Sequence, residues 1–393
     1  MYSKRLFVVL VLAGLAFAVA GSEGYIVRWS APWPDPAKPD AGLPLLAGVK
    51  HYEIFHGSSE MGMYNHGPVS ICNNGVFYVM WYSHKNCEDA SGQRILFADS
   101  PDGMQWADTE ILFDSLSPFA YRGVEGINMF PSGFYTVGDR LYAIARVNYI
   151  KWPQGPVTEG GSVYEQIGYL ARCIKTQGTS GKAFWLLEEL PEDESLLKYP
   201  CYPDTNTQTA ADALELLENI RNRGRRKGKY PEAPEGVKLC EDSIYTRGDG
   251  RQVRLFRDDG RSLRMFASIR SSEDDKWSRP VKTNIPDSCA MTVSGRLSDG
   301  RVYMIGNNIP KLWLRSPLLI TLSDDGADFD QSWVIRCCDP ELREKKSMDG
   351  KGPGFQYPNV CMSKSDMWVF YSVGKEDIGV TRIPLETLPQ KSD

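Results

Sequence analysis

One kind of segment returns along this chain: a polar turn, then a run in which aromatic and aliphatic residues alternate. It appears as NNGVFYVMWYS (73–83), VGDRLYAIARV (137–147), DDGRSLRMFASI (258–269), SDGRVYMIGN (298–307) and SKSDMWVFYSV (363–373). The alternation has the period of two that belongs to a strand presenting its side chains to opposite faces. A second element recurs with it. Ser100-x-Asp102-Gly-x-x-Trp106, Ser271-x-Glu273-Asp-x-x-Trp277 and Ser323-x-Asp325-Gly-x-x-Phe329 share one spacing. A small β unit returning every roughly 40–60 residues cannot bury its apolar faces alone, and it points to an all-β β-propeller. Ala183 to Leu190 and Asp242 to Phe256 offer one or two units beyond the five, so six blades is the central expectation, with five and seven allowed.

The unit is most complete from Met63 to Trp106. Val69 to Cys72 is a short apolar run, Asn73-Asn74-Gly75 is a hairpin turn of the asparagine–glycine type, and Val76 to Ser83 and Ile95 to Ala98 are further strands. Of the four histidines, His66 and His84 lie inside this stretch, and His51 and His56 shortly precede it. Any imidazole chemistry near neutral pH therefore belongs here.

Around this core the chain is processed and decorated. Lys4-Arg5, the apolar run Leu6 to Phe17 and Ala18-Val19-Ala20 read as a secretory signal peptide over residues 1–20, with a secreted or periplasmic product. Residues 21–393 are then one propeller domain, and no later segment has the length and apolarity for stable membrane insertion. A net charge of −5 with interspersed signs argues against nucleic acid as a partner. The nine cysteines have no metal-ligand spacing, so neither metal nor other cofactor is expected. Cys72 and Cys87, flanking one hairpin, are a candidate disulfide. Asp204 to Glu235 interrupts the pattern with a helix, apolar at Ala213, Leu216, Leu217 and Ile220 and followed by a basic run, Arg221 to Lys229. It is read as an insertion of about 204–235 on one rim, its cations at a solvated helix end, placed to wall a substrate cleft.

The three S-x-D-G-x-x-W/F elements resemble the Asp boxes of the sialidase-like (BNR-repeat) propeller superfamily. Leu314-Arg315 through Gly326 is similar to the arginine-bearing strand that precedes an Asp box, and Gly354-Phe-Gln-Tyr357-Pro-Asn is similar to the last blade of such propellers. Tyr64-Asn65-His66-Gly-Pro68 resembles the first blade of related propeller enzymes, α-L-rhamnosidases and ulvan lyases among them. The resemblance implies a carboxylate held by arginines and a tyrosine nucleophile activated by a glutamate. Arg315 matches one arginine and Tyr357 the nucleophile, while His66 stands nearest the place of the first-blade arginine. Asn307-Asn308 stand where another arginine is expected, and Glu125 and Arg146 have a sialidase-like Glu-to-Arg spacing in an earlier blade.

The residue chemistry points the same way. An imidazole at the start of an inner strand suits acid/base work, a guanidinium pairs a uronate carboxylate by two parallel bonds, and a phenol serves as nucleophile or proton relay. The expected site is therefore His66, Tyr357 and Glu125 as catalytic groups, with Arg315, Arg146, Tyr64 and Asn65 binding substrate. Arg122 accompanies Glu125 and Arg146 in the neighbouring blade. His84, Glu88 and Asp89 form a polar hairpin loop, and His51 and His56 lie within reach of the same rim. The expected function is an exo-acting glycoside hydrolase on acidic, uronate- or sialate-containing glycans. A polysaccharide lyase cutting beside a uronic acid, and a non-catalytic glycan- or protein-binding propeller, are the alternatives.

Overall fold

The computed structural model describes residues 25–85, 87–121, 123–151, 163–174, 181–338, 343 and 352–391. The leader-like residues 1–20 and Arg122 lie outside them. No helix among the described residues is long and apolar enough to cross a membrane.

The strands follow the alternation seen in the sequence. After β1 (Arg28–Trp29) and β2 (Lys50–Phe55), blade 1 consists of β3 (Tyr64–Asn73), β4 (Val76–His84), β5 (Arg94–Ser100) and β6 (Glu110–Phe113). Blade 2 has β7 (Gly126–Val137), β8 (Arg140–Lys151), β9 (Val163–Ile174) and β10 (Phe184–Trp185). Blade 3 has β11 (Leu239–Thr246), β12 (Gln252–Asp258), β13 (Arg264–Arg270) and β14 (Val281–Pro286). Blade 4 has β15 (Val293–Arg296), β16 (Val302–Gly306), β17 (Leu318–Ser323) and, after the short β18 (Asp328–Phe329), β19 (Gln331–Arg336). Blade 5 has β20 (Phe355–Met362), β21 (Asp366–Val373) and β22 (Asp377–Pro384), with β2 as its outermost strand. Each sheet is antiparallel, and around the axis the first strand of blade 1 packs on those of blades 2 and 5, and the first strand of blade 4 on those of blades 3 and 5.

The described residues thus form five four-stranded blades, within the expected range and one below its centre. The two extra segments supply no further blade: Ala183 to Leu190 carries the outermost strand of blade 2, and Asp242 to Phe256 the first two strands of blade 3. The repeat at 258–269 is accordingly the third strand of blade 3, not its second.

The ring is closed by Lys50–Phe55, which completes the last sheet by pairing with β22 from Lys50↔Arg382 to Phe55↔Ile378. Arg28 and Trp29 pair in parallel with Asp328 and Phe329. Trp29 is drawn there because its ring packs with Tyr245, Met304 and Phe329 between blades 3 and 4, while Asn284 bonds its backbone N–H and C=O at 2.8 Å each.

The Asp boxes turn the chain from third to fourth strand. In blade 1, Asp102 Oδ1 accepts from Met104 N and Gln105 N, both at 2.8 Å, and Ser100 Oγ accepts from Gly103 N at 2.8 Å. In blade 4, Asp325 Oδ1 accepts from Ala327 N at 2.7 Å and Asp328 N at 3.2 Å, with Ser323 Oγ again accepting from the glycine. These turns share one rim with the hairpins joining first to second strands. The opposite rim collects the starts of first and third strands and the ends of second strands.

The inserted helix, α1 (Thr207–Lys227), is longer than expected and runs through the basic stretch. Asn206 caps it by accepting from Thr209 N at 2.9 Å, and Gly228 ends it with φ 69°. Asp212, buried, accepts from Arg140 and Tyr142, and Arg223 reaches Ser132 O at 2.9 Å. Those partners lie toward the β7–β8 hairpin, so the helix follows the Asp-box rim and walls no cleft on the other. The segment after it is clamped between blades 2 and 3 by Arg254. This guanidinium is buried against the rings of Tyr230, Phe256 and Trp277, pairs with Asp242, and donates to the carbonyls of Lys227 and Lys229.

Replacing Asp102 by Ala strips two backbone N–H groups of their acceptor and leaves them to water. A loss of about 1 kcal/mol is expected in urea unfolding.

Candidate active site

Three first strands break their ladders at the same level of that opposite rim. In β3 the residues Gly67-Pro68 lie between the pairs His66↔Tyr82 and Val69↔Met80; in β11 Glu241-Asp242 lie between Cys240↔Arg257 and Ser243↔Leu255; in β20 Tyr357-Pro358 lie between Gln356↔Ser372 and Asn359↔Phe370. Each is a bulge of two residues against one, a device that turns a side chain out of the pleat. The first residue of each is left-handed: Gly67 at φ 60°, Glu241 at 46° and Tyr357 at 55°. At Gly67 a Cβ would stand 2.7 Å from the Tyr82 ring, so glycine is required. Glu241 and Tyr357 hold that backbone with full side chains, at a cost of about 1–3 kcal/mol each.

The bulges bring Glu241 and Tyr357 together although 116 residues separate them. The Tyr357 hydroxyl donates to Glu241 Oε1, and Arg257, near the end of β12, donates Nη1 to Glu241 Oε2. Arg257 also donates Nη2 to Asp259 Oδ1 at 2.9 Å, and its Nη1 stands 3.5 Å from the phenol oxygen. The His66 ring lies 4.1 Å from the Tyr357 ring, centroid to centroid. Arg315, just before β17, donates Nη2 to Cys289 O at 2.8 Å, while its buried Nη1 has no hydrogen-bond partner among the described residues. Lys375 closes the cluster from blade 5, bonded to Glu88 Oε2 at 2.8 Å and 5.9 Å from the Tyr357 ring centre. Tyr357 and Arg315 are half-buried, and Asp259 opens to solvent.

Burial, reinforced by the charge of Glu241 and opposed by Arg257, holds the Tyr357 phenol well above its ordinary pKa. It is a protonated phenol with a base already on its proton. Burial also pushes His66 well below its ordinary value, and Lys375, Arg315 and Arg257 push it further. The neutral tautomer follows from its neighbours. Ser372 Oγ donates to Gln356 O at 3.2 Å, so it accepts from His66 Nδ1–H at 2.6 Å. His66 Nε2 is then a bare lone pair, buried and without a partner among the described residues.

Of the residues expected from sequence, His66, Arg315 and Tyr357 converge. Tyr64 lines the same wall, stacked on Tyr82 and edge-on to His66. Asn65 is committed elsewhere: its amide nitrogen donates to Gly62 O at 2.9 Å and Glu376 O at 2.8 Å, and its oxygen accepts from Trp81 at 3.1 Å. With both donors and its oxygen in use, it braces blade 1 against blade 5. Glu125 is exposed ahead of β7, and the carboxylate on Tyr357 is Glu241, one blade further on. Arg146 lies over the Phe130 ring at 5.5 Å within blade 2, and the second arginine at Tyr357 is Arg257. Asn307 and Asn308 belong to blade 4 itself; Asn307 braces the Arg315 loop through Arg315 O at 2.9 Å.

The omission of Glu241 and Arg257 has one source. Taking 258–269 as a second strand leaves Arg257 in a turn, whereas it is the penultimate residue of β12. The Leu-Cys-Glu-Asp start of β11 was the available signal.

The remaining histidines keep off the axis. His51 bonds Thr381 Oγ1 at 2.9 Å. His56, Glu53 and Asp377 gather at the outer edge of blade 5, beside a cleft of about 320 Å³, but the Arg343 guanidinium contacts both His56 and Asp377 and supplies the balancing charge there. Cys72 and Cys87 form no disulfide: Cys87 backs onto His84 at the site rim, and Cys72 lies at the far end of β3.

Comparison with known proteins places this geometry. A BNR repeat-like domain matches residues 197–369, and a BT_1020-like N-terminal beta propeller matches residues 32–223. No curated protein matches the sequence. A structure named "Sialidase" is 22% identical with a TM-score of 0.69, covering 92% of this chain and 35% of that one. A protein of unknown function from Dyadobacter fermentans is 14% identical (TM-score 0.53), covering 86% of this chain and 99% of its own. The Trypanosoma rangeli sialidase in complex with the inhibitor DANA is 13% identical (TM-score 0.52), covering 88% of this chain and 61% of its own. The chain therefore spans about a third of the first and under two thirds of the last. These structural likenesses are likenesses of fold.

One histidine yields a stability test. His84 Nε2 bonds Ser91 O at 3.1 Å, which leaves Nδ1 to accept from Cys87 N at 3.1 Å. Burial lowers its pKa from 6.5 to about 4. The folded chain then binds fewer protons than the unfolded one between those values, so this stability is whole above pH 6.5 and is lost as pH falls toward 4. His84→Gln should remove about 3 kcal/mol of destabilisation at pH 4 and so flatten the decline of Tm across that window; parallel curves would remove the assignment.

Proposed function

We propose that this chain, a β-propeller of the sialidase-like, BNR-repeat kind, is a glycoside hydrolase that uses Tyr357 as nucleophile on an acidic glycan. The observation that carries the reading is the Tyr357 hydroxyl bonded to Glu241, with the Arg257 guanidinium against both. A phenol this far above its ordinary pKa attacks only if its proton has somewhere to go. Glu241 takes that proton as the phenol oxygen bonds the anomeric carbon, and Arg257 stabilises the developing negative charge. The departing oxygen takes up a proton from Asp89, which the loop after β4 carries beside Glu88, itself the anion paired with Lys375. Water then bonds the anomeric carbon as the glycosyl–tyrosine bond breaks, giving one proton back to the Asp89 carboxylate while Glu241 returns its own to the phenol.

Arg315, with an unpartnered Nη1, and Arg257 suit a sugar carboxylate. His66 takes a different part from the acid/base expected of it. Held neutral with a bare Nε2, it offers an acceptor and no proton, which suits a sugar hydroxyl and repels a carboxylate oxygen. The grip is thus two guanidiniums and one acceptor, and a uronate-like ring fits it better than one needing three cations. The leader-like residues 1–20 support action outside the cytoplasm.

The same lone pair favours a second reading, since a neutral imidazole beside a tyrosine is also what proton abstraction next to a uronate requires. Uronate- and sialate-containing glycans separate these readings. A hydrolase releases a reducing sugar without ultraviolet absorbance, and a lyase generates the absorbance of an unsaturated uronate. Tyr357→Phe should lower kcat by about 10³-fold or more while leaving the circular dichroism unchanged. Binding without cleavage by the unaltered protein across that panel would leave a glycan-binding propeller.

A further inference from the structure

We propose that Cys337 and Cys338 close into a vicinal disulfide, making a redox modification site beside the arginine loop. The two follow β19 directly, and their sulfurs stand 3.3 Å apart. Cys338 has φ 65°, a left-handed conformation uncommon for a residue with a side chain. The half-buried Cys337 packs, together with Leu314, against Ala41, Leu43, Ile309, Leu319 and Val334, whereas Cys338 is exposed. One sulfur is thus anchored and the other accessible. Cysteine is among the most buried of residue types, so an exposed thiol set against its neighbour is not explained by packing. A disulfide needs about 2.0 Å between sulfurs, and rotation of the exposed Cys338 side chain supplies the approach.

The chemistry balances by exchange with a small-molecule disulfide. The Cys338 thiolate attacks one sulfur of that disulfide and displaces the first thiol, leaving a mixed disulfide on Cys338. The Cys337 thiolate then attacks the Cys338 sulfur and displaces the second. Two electrons pass to the small molecule, and the two cysteine protons end on the two thiols released. The site lies next to Leu314-Arg315 yet uses no group of the axial cluster, so it stands or falls separately from the proposed catalysis.

The test uses the full chain incubated with oxidised glutathione, alkylated without reduction and digested with trypsin, which releases Cys337–Arg343 as one peptide. That peptide should carry no alkyl group and weigh two hydrogens less than the dithiol, and prior reduction should restore two alkylation sites. In Cys338→Ser the two-hydrogen loss should vanish and Cys337 should be modified singly. Full alkylation without reduction, a lasting glutathione adduct on Cys338, or a link from either cysteine to another peptide would overturn the proposal.

Discussion

Everything in this molecule hangs from one ladder: Lys50–Phe55 laid along Asp377–Pro384. That pairing joins the start of the chain to its end and converts a row of sheets into a ring. Without it the outer edge of blade 5 is unpaired, and blades 1 and 5 lose the geometry that Asn65 locks between Gly62, Glu376 and Trp81. His66 and Tyr357 sit on those two blades, so their 4.1 Å approach exists only because the ring is closed.

Within the ring, the axial cluster rests on irregularity. The hairpins and Asp boxes of one rim are satisfied locally, each turn using its own side chains. The other rim carries the bulges at Gly67, Glu241 and Tyr357, where left-handed backbone trades ladder hydrogen bonds for side chains aimed at the axis. A set of three cations, Arg257 and Arg315 half-buried and Lys375 buried, is tolerable because Glu241, Asp259 and Glu88 stand against it. Charges out of water are stabilised only by well-made pairs. Nη1 of Arg315, Nε of Arg257 and Nε2 of His66 are among the buried atoms that have no hydrogen-bond partner among the described residues.

Much of the architecture was legible in the linear pattern. Alternation of period two, the asparagine–glycine turn and the Ser–Asp–Gly spacing are local rules, and they located blades 1, 2, 4 and 5. Blade 3 was harder, because its second strand, QVRLFRD, alternates less cleanly than the third strand that follows. The helix was visible from its apolar stripe, but not its rim, since only the contacts of Asp212 and Arg223 show which end of blade 2 it covers.

The order of residues already specified a ring of antiparallel sheets, the helix between them, and three side chains of the axial cluster: His66, Arg315 and Tyr357. Tertiary structure alone decided that Glu241 and Arg257 complete that cluster, that Asn65 is a brace, and that His66 is a neutral acceptor. The physical reason is that strand periodicity is written in neighbours along the chain. A pKa or a tautomer is written by groups hundreds of residues away, which only ring closure brings within reach.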